Sequence, residues 1–313
     1  MGQSAQSGRP HNVRWLFYGP SELRAGWRLL IFIAILSLLF AVKGMIDRRM
    51  IHVIDKDTLF AAGEVMVFFM FLLASWIMAK IEGRKVADYG LPGSRAFRSQ
   101  FWQGVVTGFV SVTVLLIALR AAGVFQFGGI GIHGADIWKW GAVWGLAFVG
   151  VGLKEEFMFR GYAQFTLATG IGFWPAAVVW SALFGFVHLG NSGERWVGAF
   201  AAVAFGLLAC LLLRRTGNLW MPIGLHVGWD WAETYFYGVA DSGQLSSGHL
   251  FNPTFSGPQW LTGGTVGPEG SLLCLVLLVV LWFVFAGWFR ETKYPDLHAV
   301  KRSLGAGMFV PRQ

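Results

Sequence analysis

Trp27-Arg28-Leu29-Leu30-Ile31-Phe32-Ile33-Ala34-Ile35-Leu36-Ser37-Leu38-Leu39-Phe40-Ala41-Val42-Lys43 is the stretch that decides the fold: between Arg28 and Lys43 the one polar side chain is Ser37. A bilayer core requires about 20 predominantly apolar residues per helix. Working outward, comparable runs recur near 59–79, 101–123, 137–160, 173–190, 196–213, 219–238 and 270–289. Of 313 residues, 55% are apolar and 13% charged, against roughly 25% charged in soluble domains. The expected fold is all-α, a polytopic membrane bundle of about eight transmembrane helices.

An even number of spans puts both termini on one side. Placing the N-terminus inside gathers Arg9, Arg14, Arg24, Arg28, Lys80, Arg84, Lys85, Arg95, Arg98, Arg214, Arg215, Arg290, Lys293, Lys301, Arg302 and Arg312 on the cytoplasmic face. Lys43, Arg48, Arg49, Lys56 and Arg195 remain on the other, and the first loop is a local exception to the positive-inside bias. The expected location is therefore the cell (plasma or inner) membrane with both termini cytoplasmic. The chain divides into an interfacial N-terminal segment at 1–26, accessory helices at 27–136, a catalytic core at 137–238, an external loop at 239–269, and a last helix with a basic tail at 270–313. The first 25 residues lack an apolar core followed by a small-residue cleavage site, so the first span is expected to act as an uncleaved anchor, with Arg14-Trp15-Leu16-Phe17-Tyr18 at the interface.

The net charge of +8 does not indicate nucleic acid, because the basic residues flank apolar runs instead of forming a basic face with interleaved aromatics. Cys210 and Cys274 stand singly inside apolar runs and say nothing of redox compartment. Gly104 and Gly108 form a GxxxG, a spacing that lets membrane helices approach closely. The 16 Trp read as interfacial anchors and bundle filler. The loop at 239–269, rich in Gly, Ser, Thr and Pro and without Lys or Arg, carries no readable chemistry.

Ionisable side chains within spans cost at least about 2.5–3.5 kcal/mol each at the bilayer centre, so each is a functional candidate. Lys154-Glu155-Glu156-Phe157-Met158-Phe159-Arg160 sets Glu156 and Arg160 four residues apart, where side chains meet on a helix. Glu156 reads as the partner of Arg160. Glu155, about 100° around the helix, is left for chemistry. The next apolar run ends Phe184-Gly185-Phe186-Val187-His188, beyond a turn at Gly170-Ile171-Gly172. In an antiparallel hairpin about that turn, Glu155 and His188 fall at one depth, roughly 25 Å from it; the earlier helix is expected to run on past the membrane surface to the turn. His226 and Asp230, again four apart, complete the set. Glu64, Arg120, Lys139 and Glu233 are weaker candidates without an evident partner; Lys139 reads as snorkelling, and Glu233 as support.

A carboxylate beside a histidine in a dry cavity can deprotonate one water, and nearby donors can stabilise the oxyanion formed on a carbonyl. That fits amide hydrolysis. No G-x-S-x-G and no HExxH occurs, which removes the usual serine-hydrolase and zincin signatures.

Glu155-Glu156-x-x-x-Arg160, Phe184-x-x-x-His188 and His226-x-x-x-Asp230, in this order on successive apolar helices over about 137–238, resemble the three motifs of the CPBP family of intramembrane proteases (CAAX prenyl proteases, bacteriocin-processing and Abi-type proteins). The resemblance implies an intramembrane glutamic endopeptidase in which Glu155 and His188 activate water, His226 and Asp230 form the oxyanion site, and Glu156, Arg160 and Phe184 give structural support. It implies no cofactor, and a membrane-associated or lipidated protein or peptide as substrate. The third motif commonly ends in Asn. An anionic Asp230 would repel an oxyanion, so Asp230 is expected to work as a neutral acid or through His226. The competing readings are a zinc protease using Glu155, His188 and His226, a non-catalytic scaffold or immunity protein, and a proton-coupled transporter, for which no internal repeat is found.

Overall fold

The computed structural model describes residues 14–19, 23–50, 56–191 and 193–294. The expectations for the segment before Arg14 and for the tail bearing Lys301, Arg302 and Arg312 lie outside them. The helices are α1 (Arg14–Phe17), α2 (Ala25–Met50), α3 (Lys56–Glu82), α4 (Ser99–Ala121), α5 (Ala135–Arg160), α6 (Tyr162–Ile171), α7 (Phe173–His188), α8 (Trp196–Thr216), α9 (Trp220–Trp231), α10 (Gln259–Thr262) and α11 (Leu272–Trp288). Every apolar run singled out in the sequence is helical. Among the described residues, four helices, α2, the Gly63–Glu82 part of α3, α4 and α8, are long and apolar enough by length and composition to cross a membrane. Large apolar side chains such as Leu38, Phe69, Val106, Leu146, Phe200 and Phe283 point outward, which is unfavourable in water and expected against lipid tails. The protein is a helical membrane protein.

Two details depart from the sequence expectation. The helix bearing Glu155 does not run on unbroken to the turn: α5 stops at Arg160, Gly161 takes φ −83° and ψ −126°, and α6 covers the remaining distance as a separate helix. The hydroxyl of Tyr162 donates to Glu82 Oε1 at 2.5 Å, while Glu82 Oε2 accepts from Tyr89 (3.1 Å) and Arg28 (3.3 Å). This buried carboxylate ties α2, α3 and the start of α6 together. The second departure is a small antiparallel pair, β1 (Phe125–Gln126) with β2 (Thr254–Phe255), within an otherwise helical chain.

The pair lies at one end of the bundle, where Gly131 N donates to Leu250 O (2.7 Å) and Asn252 N to Gly129 O (2.9 Å). At the opposite end Leu219 N donates to Gly90 O (2.7 Å), Trp220 Nε1 to Pro92 O (2.9 Å), and Arg215 Nη1 to Arg290 O (2.6 Å). The two loop sets therefore separate as the charge asymmetry requires: Arg84, Lys85, Arg95, Arg98, Arg214, Arg215, Arg290 and Lys293 share one end, and the 239–269 loop covers the other.

The GxxxG of α4 packs as expected, and its partner is a second one. A Cβ added at Gly104 or Gly108 would overlap the carbonyl oxygen of Met221 or Leu225, and one at Gly224 or Gly228 would overlap that of Phe101 or Val105. Small residues on both faces remove the side-chain layer between the helices, so their backbones touch. His226 sits between Gly224 and Gly228, so this close packing positions its backbone.

Candidate active site

The motif residues converge on one cavity of about 780 Å³ inside the bundle, lined in part by Glu155, His188, His226, Asp230, Lys154 and Glu64. α5, α7 and α9 each contribute residues to it, Lys154 and Glu155 from α5, Phe184 and His188 from α7, and His226 and Asp230 from α9. Gly152 helps: a Cβ there would lie 3.1 Å from Val227 Cγ2 and 3.7 Å from His226 Cβ, so α5 and α9 can approach enough for the Glu155-Glu156 turn to reach His226.

His226 is the hub. Its Nδ1 lies 2.9 Å from Glu156 Oε1, an arrangement in which Nδ1–H donates to the carboxylate. Its Nε2 stands 3.7 Å from Glu155 Oε2 and 3.6 Å from Asp230 Oδ2, near both carboxylates and beyond hydrogen-bond contact. The Phe205 ring meets the imidazole edge to face at 5.2 Å. Glu156 is thus more than the partner of Arg160: the same Oε1 accepts from Arg160 Nη1 at 3.2 Å and serves His226. Both Glu156 and Arg160 are fully buried.

Arg160 also explains Phe184. The guanidinium lies 4.4 Å from the Phe184 ring centroid, a cation–π contact that partly replaces lost water, and the same ring meets His188 with ring centroids 4.3 Å apart. Gly206 on α8 leaves the space; a Cβ there would lie 2.5 Å from Arg160 Nη2.

His188 hydrogen-bonds through Nδ1 to the Phe184 carbonyl at 2.7 Å. A carbonyl can only accept, so Nδ1 carries the proton, and in a neutral ring Nε2 offers its lone pair to the cavity. Glu155 and His188 line the cavity together, in keeping with the hairpin register. No hydrogen bond or ion pair joins them among the described residues. The neighbours of Glu155 are instead Lys154 Nζ at 3.2 Å and His226 Nε2 at 3.7 Å.

Sequence reasoning missed the role of Lys154 and Glu64. Lys154 also binds Glu64 on α3, so an accessory helix contributes to the electrostatics beside Glu155. A separation of 90 positions along the chain hides that pairing, and only the presence of an acid inside an apolar run hinted at it. Of the other weak candidates, Arg120 donates to Gln126 at 2.6 Å, the Lys139 ammonium lies over Trp140 at 5.2 Å, and Glu233 joins two loop carboxylates described below.

The fold and site together define a helical membrane protein whose bundle encloses carboxylates and imidazoles beside one cavity. Residues 137–232, which hold all three motifs, match the family model described as "Type II CAAX prenyl endopeptidase Rce1-like". That match covers about a third of the chain and makes this motif-bearing segment similar to the CAAX endopeptidase family, whose members are proteases. No curated protein and no solved structure matches it.

Proposed function

We propose that this protein is an intramembrane endopeptidase that hydrolyses membrane-associated or lipidated protein or peptide substrates through a water activated by Glu155 and His188. The observation carrying this reading is the convergence of Glu155, His188, His226 and Asp230 from three helices on one cavity within the bundle. The water would lie between Glu155 and His188, which share the cavity without contacting each other. Glu155 takes its proton as the oxygen adds to the scissile carbonyl, and the Nε2 lone pair of His188 orients the water. The new oxyanion accepts a hydrogen bond from the carboxyl O–H of Asp230, and His226 adds a second donor when its Nε2 is also protonated. Glu155 then returns the proton to the departing amine, and the C–N bond breaks. The test is the comparison of membrane peptide fragments in cells carrying the wild type or Glu155→Gln: fragments present only with the wild type support hydrolysis, and identical fragment sets overturn it in favour of a scaffold.

Asp230 serves as a neutral hydrogen-bond donor to the oxyanion in this scheme. Asp230→Asn keeps a donor of the same shape, so kcat/KM should remain within about tenfold of wild type. Losing an oxyanion-site donor altogether costs about 10²–10³ in rate, the expected result for Asp230→Ala. An inactive Asn variant would mean that the Asp230 anion is needed to hold a protonated His226.

The reaction as written uses no metal. Among the described residues, Glu155, His188 and His226 do not form a group of ligand atoms within 4.8 Å of one another. Activity should survive ortho-phenanthroline, which strips zinc. Loss of activity that zinc alone restores would favour the zinc protease.

The location carried by this reading is the cell membrane, with eight crossings and both termini in the cytoplasm. Tags at either terminus or at Arg215 should be cytoplasmic, and a tag at the exposed Ser256 external; cytoplasmic labelling at Ser256 would invert the arrangement.

A further inference from the structure

A second polar cluster stands at the loop end of the bundle, next to the hydrolytic residues and not used by them. Carboxylate oxygens of Glu233, Asp241 and Glu269 all lie within 4.8 Å of one another. Glu233 is fully buried, and neither of its oxygens has a hydrogen-bond partner; the indole of Trp229 faces it without closing a hydrogen bond. The helix widens here into a π turn over Ala232–Tyr237, a feature frequent at functional sites. Asp241 Oδ2 accepts from Thr234 Oγ1 at 3.2 Å, and Glu269 Oε2 accepts from Ser242 N and Oγ at 3.0 and 2.7 Å. Residues 239–269 contain no Lys or Arg, and among the described residues no Lys or Arg pairs with any of the three acids.

Three carboxylates this close, one fully buried and two partly buried, repel one another, and among the described residues no Lys or Arg stands with them. A positive ion at the centre would relieve this. Oxygen ligands bind calcium at 2.3–2.6 Å, so ligands on opposite sides of such an ion are about 5 Å apart, which matches the spread of the three acids. An all-oxygen donor set selects hard cations over zinc or copper. We propose that Glu233, Asp241 and Glu269 form a binding site for a hard divalent cation of the calcium or magnesium kind, which fastens the 239–269 loop to the helix carrying Asp230. The site needs no assumption about the hydrolytic chemistry: its residues come from the end of the seventh apolar run and from the loop, and Asp230 stands one helical turn away.

Two readouts on the purified full-length protein test this. At matched ionic strength, CaCl₂ or MgCl₂ at about 100 times its Kd should raise Tm by roughly 5 °C over a chelated sample, with choline chloride as the inert control. The irregular loop favours calcium, whose coordination is less demanding than that of magnesium, and the two chlorides tell which ion is preferred. Terbium should luminesce on excitation of Trp229 and be displaced by the preferred ion. Glu233→Gln and the pair Asp241→Asn with Glu269→Gln should abolish both responses, yet leave the chelated Tm equal to or above wild type, because repulsion is removed. Absence of any cation response in the wild type, or a response undiminished in the variants, would overturn the site and leave shared protons as the source of neutrality.

Discussion

Glu155→Gln should lower kcat/KM for peptide hydrolysis by about 10³-fold or more while the protein accumulates in the membrane with an unchanged Tm. A positioned general base typically contributes 10²–10⁴-fold. The amide keeps the size of the side chain but cannot accept a proton at its nitrogen or hold the transferred proton on its oxygen near neutral pH. Fold should be spared because Glu155 is partly exposed to the cavity, with 20% of its side chain accessible, and because its ion-pair neighbour Lys154 keeps Glu64. The measurement is kcat/KM on a quenched peptide in reconstituted vesicles, alongside a thermal melt. A Gln variant within tenfold of wild type would remove Glu155 from the base role.

Glu156→Gln should do the reverse, lowering Tm by roughly 10 °C or more while leaving measurable activity in the protein that remains folded. The amide oxygen can still accept from Arg160 and His226, because a single oxygen of Glu156 serves both now and its Oε2 has no partner. What disappears is the negative charge. Arg160 is fully buried, and removing one partner of a buried ion pair costs about 3–5 kcal/mol. The Phe184 ring offsets a small part of this, since a cation–π contact gives about 0.5–2 kcal/mol. Thermal melts and activity per folded molecule separate the two effects. Equal activity loss at wild-type Tm for both glutamates would show that they act as one catalytic unit instead of one base and one scaffold.

The contrast between these neighbours shows how far the sequence reaches. A one-residue step around a helix assigned Glu155 and Glu156 to different faces, and the four-residue spacing of Glu156 with Arg160 and of His226 with Asp230 described contacts within a single helix. Both pairs are present, at 3.2 Å and 3.6 Å. The link from Glu156 to His226 spans 70 residues and left no periodic trace. The break at Gly161 was equally hidden, because glycine is common in membrane helices for packing reasons, and here the Tyr162 contact with Glu82 brings the next helix aside. Glu233 stood out as an acid in an apolar run, but its companions Asp241 and Glu269 lie in a loop that has no repeating pattern to read.

By itself the sequence determined the helical membrane architecture, the three motif-bearing helices and the separation of basic from neutral loops. These follow from solvent chemistry and helix periodicity: apolar length answers to bilayer thickness, and 3.6 residues per turn relates positions three or four apart. Only the tertiary structure decided which helices touch, how α4 and α9 close upon each other through facing glycines, that His226 stands between Glu155, Glu156 and Asp230, and that an accessory helix supplies Glu64 beside Lys154. The physical reason is that contacts between distant segments depend on backbone separation and rotation about each helix axis, and those are set by the packing of the whole bundle instead of by any local spacing along the chain.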